Sequence, residues 1–185
     1  GLKLSIVSIE VSSNNEVQYI LKTDTSSNPE PAALTQQSTQ ETAQVLRNFL
    51  DIARTTYKIP VEKMFVVISS GLKTELDKKN KWAEFVSTIT PPNSPAGFAI
   101  KYVTPAEEGE LAVLGTVPPK RRYSTSLVDV GSGNTKGGYF MDATETFDAL
   151  YFSIGTRTFT KMIKEKNPVN VQDFVKIGEK IFRDC

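Results

Sequence analysis

Apolar and polar positions alternate in several short segments of the chain, a pattern typical of half-buried β-strands. The two segments nearest the N-terminus flank the polar turn SSNN and predict a hairpin. The uniformly apolar run MFVVI, at residues 64–68, instead predicts a fully buried, parallel strand. Strands are predicted at residues 3–9, 16–22, 64–68, 98–103, 125–130, 135–141 and 146–152.

Apolar residues at three- and four-residue spacing predict helices between and after these strands. Helices are predicted at residues 38–57, 73–89, 104–117, 155–165 and 170–183. We expect Ser38 or Thr39 to cap the first. The third begins with the capping box TPAE, in which Thr104 is the N-cap and Glu107 reaches back to it. This order of elements predicts an α/β fold with a mixed sheet and flanking helices.

The segment PPKRRY, at residues 118–123, is proline-rich and charged, and it predicts a linker that divides the chain into domains 1–123 and 124–185. A weak internal repeat supports two related halves, because residues 9–21 align without a gap on residues 128–140. The identical pairs are Val11/Val130, Ser13/Ser132 and Asn15/Asn134. The repeat predicts that the hairpin is duplicated.

Composition restricts the chemistry of this chain of 185 residues, whose formal net charge is +1. No broad positive field favours nucleic acid or an anionic membrane as a partner, and the apolar runs are too short to span a bilayer. There is no histidine, and the single cysteine is the last residue, Cys185. A Ser-His-Asp triad, a histidine metal site and an internal disulfide are therefore excluded within this chain. One cysteine fits a reducing compartment, so we expect a cytoplasmic location.

Five short motifs, in order along essentially the whole chain, resemble the exopolyphosphatase / guanosine pentaphosphate phosphohydrolase family of the actin, sugar-kinase and heat-shock-chaperone ATPase superfamily. IEVSSNN (9–15) stands where the family has I-D-x-G-S-N-S, and ISSGLK (68–73) where it has A-T-S-A-L-R. VTPAEEGEL (103–111) is similar to I-S-G-x-E-E-A-x-L, VDVGSGNTK (128–136) to V-D-[IV]-G-G-G-S-T-E, and SIGTRTF (153–159) to P-I-G-x-x-R-L.

This resemblance implies a ribonuclease-H-like actin-superfamily fold, followed by the opening part of a second, similar domain that is truncated. It also implies that polyphosphate, guanosine pentaphosphate or ATP binds between the hairpin turns, and that Mg²⁺ assists attack of water on the terminal phosphate. Glu107 and Asp129 take the catalytic positions, and Asp129 and Glu10 the metal positions. The implied phosphate-binding residues are Ser12, Ser13, Asn14, Lys73, Gly131, Ser132, Gly133, Asn134, Thr135 and Lys136.

Several residues depart from the family pattern. Lys136 stands where the family has a second catalytic glutamate, and a cation can bind phosphate but cannot act as a base or bind Mg²⁺. Lys73 replaces an arginine and lacks its bidentate fork. Glu10 replaces an aspartate and Ser12 a glycine. These changes favour binding over hydrolysis, so the alternative is a catalytically impaired nucleotide or polyphosphate sensor or assembly protein.

The same residues also have purely structural interpretations. Glu107 is equally well explained as part of the helix cap, and the glycines at 131 and 133 suit any tight hairpin. The basic run Lys120, Arg121 and Arg122 could steer a polyanion, but a solvated linker is the more common explanation. The sequence does not determine the oligomeric state, and a homodimer is one of the alternatives.

Overall fold

The structure is a computed structural model that describes residues 1–13, 17–92, 94, 98–142 and 144–184. The chain has a mixed α/β architecture of small sheets with flanking helices. It divides into two compact units. The first unit comprises residues 1–68 and 72–101, and the second comprises residues 69–71 and 102–185. The predicted linker at 118–123 therefore lies within the second unit.

The described strands form three separate sheets rather than the single mixed sheet that the element order predicts. The elements up to residue 102 are β1 (Leu2–Val11), β2 (Val17–Ser27), α1 (Gln36–Thr55), β3 (Val66–Ile68), α2 (Ser70–Lys78), α3 (Trp82–Ile89) and β4 (Ile100–Tyr102). β1 pairs with β2 and β3 pairs with β4. A strand is found at each predicted position in this part of the chain, with β2 extending further than predicted. The prediction that residues 64–68 are fully buried is wrong, because Phe65 and Val67 are 80% and 55% exposed. Alternate side chains of β3 face away from the core, and only Ile68 of this segment is buried.

The β1–β2 hairpin has two different faces. On one face Ile6 is buried, and β1 contacts α1. On the other, the register places apolar side chains directly opposite one another, and each is between 45% and 72% exposed. These pairs are Val7–Leu21, Ile9–Tyr19 and Val11–Val17. The core of the first unit consists of Leu34, Ala43, Leu46, Ile68, Leu76, Phe85 and Ile89.

Two predicted helix boundaries in the first unit are wrong. Helix α1 is capped by Thr35, not by Ser38 or Thr39, because Thr35 and Ser38 exchange side-chain-to-amide hydrogen bonds of 3.1 Å. The predicted helix 73–89 is two helices. It is interrupted at Asn80, which is left-handed at φ 53°, where the Lys81 amide donates to the Leu76 carbonyl at 2.8 Å in a Schellman-type ending.

The second unit is an antiparallel meander with helices packed against it. Its elements are α4 (Pro105–Thr116), β5 (Ser126–Val130), β6 (Thr135–Met141), β7 (Thr146–Phe152), α5 (Thr156–Lys164) and α6 (Val171–Arg183). β6 lies between β5 and β7, and α4 packs across all three strands. All six elements are confirmed predictions. Among the described residues, no helix combines the length and the apolar character needed to cross a bilayer.

The basic segment between α4 and β5 forms a short 3₁₀ helix, Pro119–Ser124. The guanidinium carbon of Arg122 lies 5.6 Å from the centre of the Phe140 ring, and Tyr123 contacts the same ring edge-on. Arg122 therefore packs on the second unit's aromatic residues, as expected for cation–π contact.

Candidate functional site

A lysine is buried at the end of the β5–β6 hairpin. Lys136 is only 6% exposed, and the antiparallel register places it directly opposite Asp129. Because opposed residues of a hairpin share one face, the two side chains meet, with Lys136 Nζ 2.9 Å from Asp129 Oδ2. The motif VDVGSGNTK (128–136) thus contains both members of one ion pair, Asp129 and Lys136.

Helix α4 supplies a second carboxylate to the same ammonium group. Glu108 Oε1 lies 3.3 Å from Lys136 Nζ, and its other oxygen accepts a hydrogen bond of 3.0 Å from the Ser70 amide. Ser70 begins helix α2, where free amides and the helix dipole favour a negative charge. Glu108 therefore pairs with Lys136 and accepts the amide hydrogen bond of Ser70 at the same time.

Asn134 completes this network. Its side-chain amide donates a 3.0 Å hydrogen bond to the Ser70 hydroxyl, and both residues are buried, at 5% and 2% exposure. Buried polar groups of this kind are retained where they are satisfied by defined partners. Asp129, Lys136, Glu108, Ser70 and Asn134 thus form one connected cluster within the second unit.

The glycine-rich turn between β5 and β6 is held by the start of α5. The Gly131 carbonyl accepts from the Thr156 amide at 2.9 Å, and the Ser132 carbonyl accepts from the Arg157 amide at 2.8 Å. Gly155 packs so closely that a β-carbon there would come within 2.4 Å of the Gly131 carbonyl oxygen. The amides of Thr156 and Arg157, at the start of α5, therefore donate their hydrogen bonds to the glycine-rich turn.

Three amides of the same turn remain without such partners. The amides of Ser132, Gly133 and Asn134 donate no hydrogen bond to any residue that the structure describes. A β-carbon at Gly133 would meet nothing within 4 Å, so the space beside the Gly133 α-carbon is open. Successive unpaired turn amides are suitable donors for an anion.

The charges of the cluster keep Lys136 protonated. Burial is the largest single influence and acts to lower the pKa of Lys136, but the hydrogen bond to Asp129 and the charges of both carboxylates outweigh it. The net effect raises the pKa of Lys136 above its ordinary value. The ammonium has three donors, and the two carboxylates take two of them.

Glu107, the implied catalytic residue, takes part in the N-terminal cap of α4. Its carboxylate accepts a 2.7 Å hydrogen bond from the Thr104 amide, and its own amide donates to the Thr104 hydroxyl at 3.2 Å. The pKa of this exposed carboxyl is lowered, chiefly by the bond from the Thr104 amide. The predicted capping box is therefore confirmed, and the neighbouring Glu108 is the residue that contacts Lys136.

The other predicted site residues of the second unit lie in the same turn. Gly131, Ser132, Gly133 and Asn134 form it, and Thr135 begins β6 with its hydroxyl donating to the Ile154 carbonyl at 2.8 Å. A β-carbon at Gly131 would come within 2.9 Å of the Asn134 carbonyl oxygen, so this position requires glycine.

The remaining predicted residues belong to the first unit. Glu10 is exposed on the hairpin, 3.9 Å from Lys22 Nζ, and Ser12 and Ser13 follow β1. Lys73 pairs with Asp77 one helical turn away and lies 4.9 Å from the centre of the Trp82 ring. Asn14 lies outside the described residues.

Asp129 and Glu10 are the residues implied to hold Mg²⁺, and Asp129 does not fit that role because its Oδ2 is paired with Lys136. Between Asp129 and Glu108, where two carboxylates face each other, the position is taken by the ammonium group of Lys136. Carboxylate oxygens engaged by a lysine are not available to a hard cation, and two positive charges side by side repel.

Sequence reasoning missed Glu108 and Ser70. Glu108 adjoins the recognised Glu107, and the only local sign of its role is Gly109, which lets α4 approach β6 closely. Nothing in the sequence places Ser70 beside Asn134, because 64 positions separate them.

The likeness to the exopolyphosphatase family rests on the five motifs in the sequence. No protein-family model matches the chain, and neither a curated protein nor a solved structure is significantly similar to it.

Proposed function

We propose that this chain is an exopolyphosphatase-like protein that binds phosphoanhydride chains without hydrolysing them. Its ligand is the phosphate chain of polyphosphate, guanosine pentaphosphate or ATP, and its fold is the ribonuclease-H-like fold of the actin superfamily. The observation that carries the proposal is the position of Lys136, buried between Asp129 and Glu108 beside a glycine-rich turn with unpaired amides.

Binding is supported by the chemistry of the β5–β6 turn. The unpaired amides of Ser132 and Gly133 are donors for phosphate oxygens. Glycine at 133 leaves room for a ligand to approach the backbone. Lys136 offsets one of the two negative charges of Asp129 and Glu108, which lowers the repulsion that a phosphate chain would meet beside the turn.

Loss of hydrolysis is supported by the contacts of Asp129 and Glu107, the two residues that the motifs imply to be catalytic. Asp129 is held by Lys136, so it is not free to bind a cation or to orient water. Glu107 is held in the helix cap with a lowered pKa, which makes it a weaker base at neutral pH. The rival function is a hydrolase in which Glu107 orients water and Asp129 acts near Mg²⁺.

The decisive experiment combines a binding assay with a turnover assay. Inorganic tripolyphosphate and ATP are titrated into the protein by calorimetry, and phosphate release is followed with Mg²⁺ present. We expect binding without release. Release that is abolished by Asp129→Asn would establish the rival hydrolase, and absence of binding to any phosphoanhydride would refute the proposal.

Two substitutions at one position test whether the turn amides are the donors. Gly133→Pro removes one amide, and we expect about tenfold weaker tripolyphosphate binding, the usual effect of losing one hydrogen bond to a charged group. Gly133→Ala keeps the amide and adds a methyl group to open space, so binding should stay within about twofold. Equal effects of the two changes would locate the ligand elsewhere.

A further inference from the structure

The side chains around Lys136 resemble the ligand set of a cation. Asp129 and Glu108 come from different elements, a strand and a helix, and each directs an oxygen at the same nitrogen atom, at 2.9 and 3.3 Å. The Asn134 side-chain oxygen and Lys136 Nζ both face Gly131, at 3.5 and 3.4 Å from a β-carbon placed there. Carboxylate and amide oxygens are the donors that hard divalent cations take in proteins.

We propose that Lys136 is a built-in replacement for a divalent cation. Its ammonium offsets one of the two carboxylate charges and keeps Mg²⁺ and Mn²⁺ out of the cluster, and removing its charge opens a divalent-cation site. This inference does not depend on the proposed function, because it concerns the protein in the absence of any phosphate.

The charges support this assignment. Asp129 and Glu108 carry two negative charges, and Glu108 and Lys136 are largely removed from water, with side chains 25% and 7% exposed. Partly buried carboxylates need an opposite charge close by, since an unpaired buried charge is costly. With lysine present the cluster carries one net negative charge, and without it the two negative charges are those that a divalent cation neutralises.

A metal ion in place of the ammonium group would require only a small movement of the two carboxylates. Bonds from Mn²⁺ or Ca²⁺ to oxygen are shorter than those to an ammonium nitrogen, so each carboxylate oxygen would close in by roughly 1 Å. Asp129 is able to move, because its side chain is 49% exposed.

The test is a calorimetric titration with MnCl₂ in buffer free of phosphate, on the wild-type chain and on Lys136→Met. Methionine keeps an unbranched side chain of similar length and removes the charge. We expect Lys136→Met to bind Mn²⁺ at least about tenfold more tightly than the wild type, and Lys136→Arg to gain nothing. The gain should disappear in Lys136→Met/Asp129→Asn.

Three outcomes would overturn the proposal. They are Mn²⁺ binding by the wild type that Asp129→Asn weakens, a folded Lys136→Met that gains no binding, and a gain that persists after Asp129→Asn is added. If Lys136→Met does not fold by circular dichroism, Lys136→Gln replaces it. The wild-type comparison with Asp129→Asn remains decisive in either case, because it needs no change at position 136.

Discussion

Gly109 of α4 lies directly on Gly137 of β6, so close that a β-carbon at Gly109 would come within 2.7 Å of the Gly137 carbonyl oxygen. Each glycine is the chain neighbour of one member of the ion pair between Glu108 and Lys136. The absence of a side chain at Gly109 is therefore what allows the helix to bring its carboxylate to the buried ammonium.

The first prediction concerns this contact. Gly109→Ala should destabilise the protein by about 1–3 kcal/mol, because the neighbouring atoms are backbone and cannot move aside cheaply. Gly115→Ala is the matched control in the same helix, since a β-carbon there would meet nothing within 4 Å. The control should be neutral or stabilising by up to about 1 kcal/mol. Urea denaturation measures both, and equal effects would show that α4 does not pack on β6 in this way.

Most of the local structure could be predicted from the sequence. Alternation and one uniformly apolar run located the seven strands, and the capping box TPAE correctly placed the N-cap of α4 at Thr104. Two helix boundaries were predicted wrongly, because they are determined by features other than the spacing of apolar residues. The reciprocal bonds of Thr35 and Ser38 moved the start of α1, and the left-handed Asn80 divided the predicted helix 73–89.

The candidate site could be predicted only in part. A turn at residues 131–134 fixes the register of its hairpin, and this register alone places Asp129 opposite Lys136. The contribution of Glu108 depends on how a helix packs on a sheet, which no local pattern specifies. The family resemblance implies a catalytic role for Glu107, and the structure shows that its carboxylate accepts the Thr104 amide hydrogen bond of the cap.

The second prediction concerns the contact between Gly155 and the glycine-rich turn. A β-carbon at Gly155 would come within 2.4 Å of the Gly131 carbonyl oxygen and 2.7 Å of the Asn134 nitrogen. Gly155→Ala should therefore displace the turn, with a loss of about 1–3 kcal/mol in stability and weaker tripolyphosphate binding. Gly133→Ala, in open space within the same turn, is the control. If both variants unfold at the same urea concentration, α5 does not hold the turn.

The third prediction concerns the capping box of α4. Thr104→Ala removes the hydroxyl that accepts from the Glu107 amide, and it should cost about 1 kcal/mol. Glu107→Gln should destabilise the protein at neutral pH, because the charged carboxylate accepts the Thr104 amide bond at the positive end of the helix.

The pH dependence of the Glu107→Gln effect follows from the lowered pKa of Glu107 in the folded protein. A carboxyl with a lowered pKa stabilises the fold fully above its unfolded pKa of about 4.3, and this contribution is lost as the pH falls through the lower, folded value. The difference in urea midpoint between wild type and Glu107→Gln should therefore be constant at neutral pH and shrink below about pH 4. Glu165→Gln is the control, since its exposed pair with Lys161, at 3.8 Å, contributes little. A difference that does not change with pH would mean that the charge of Glu107 has no part in the cap.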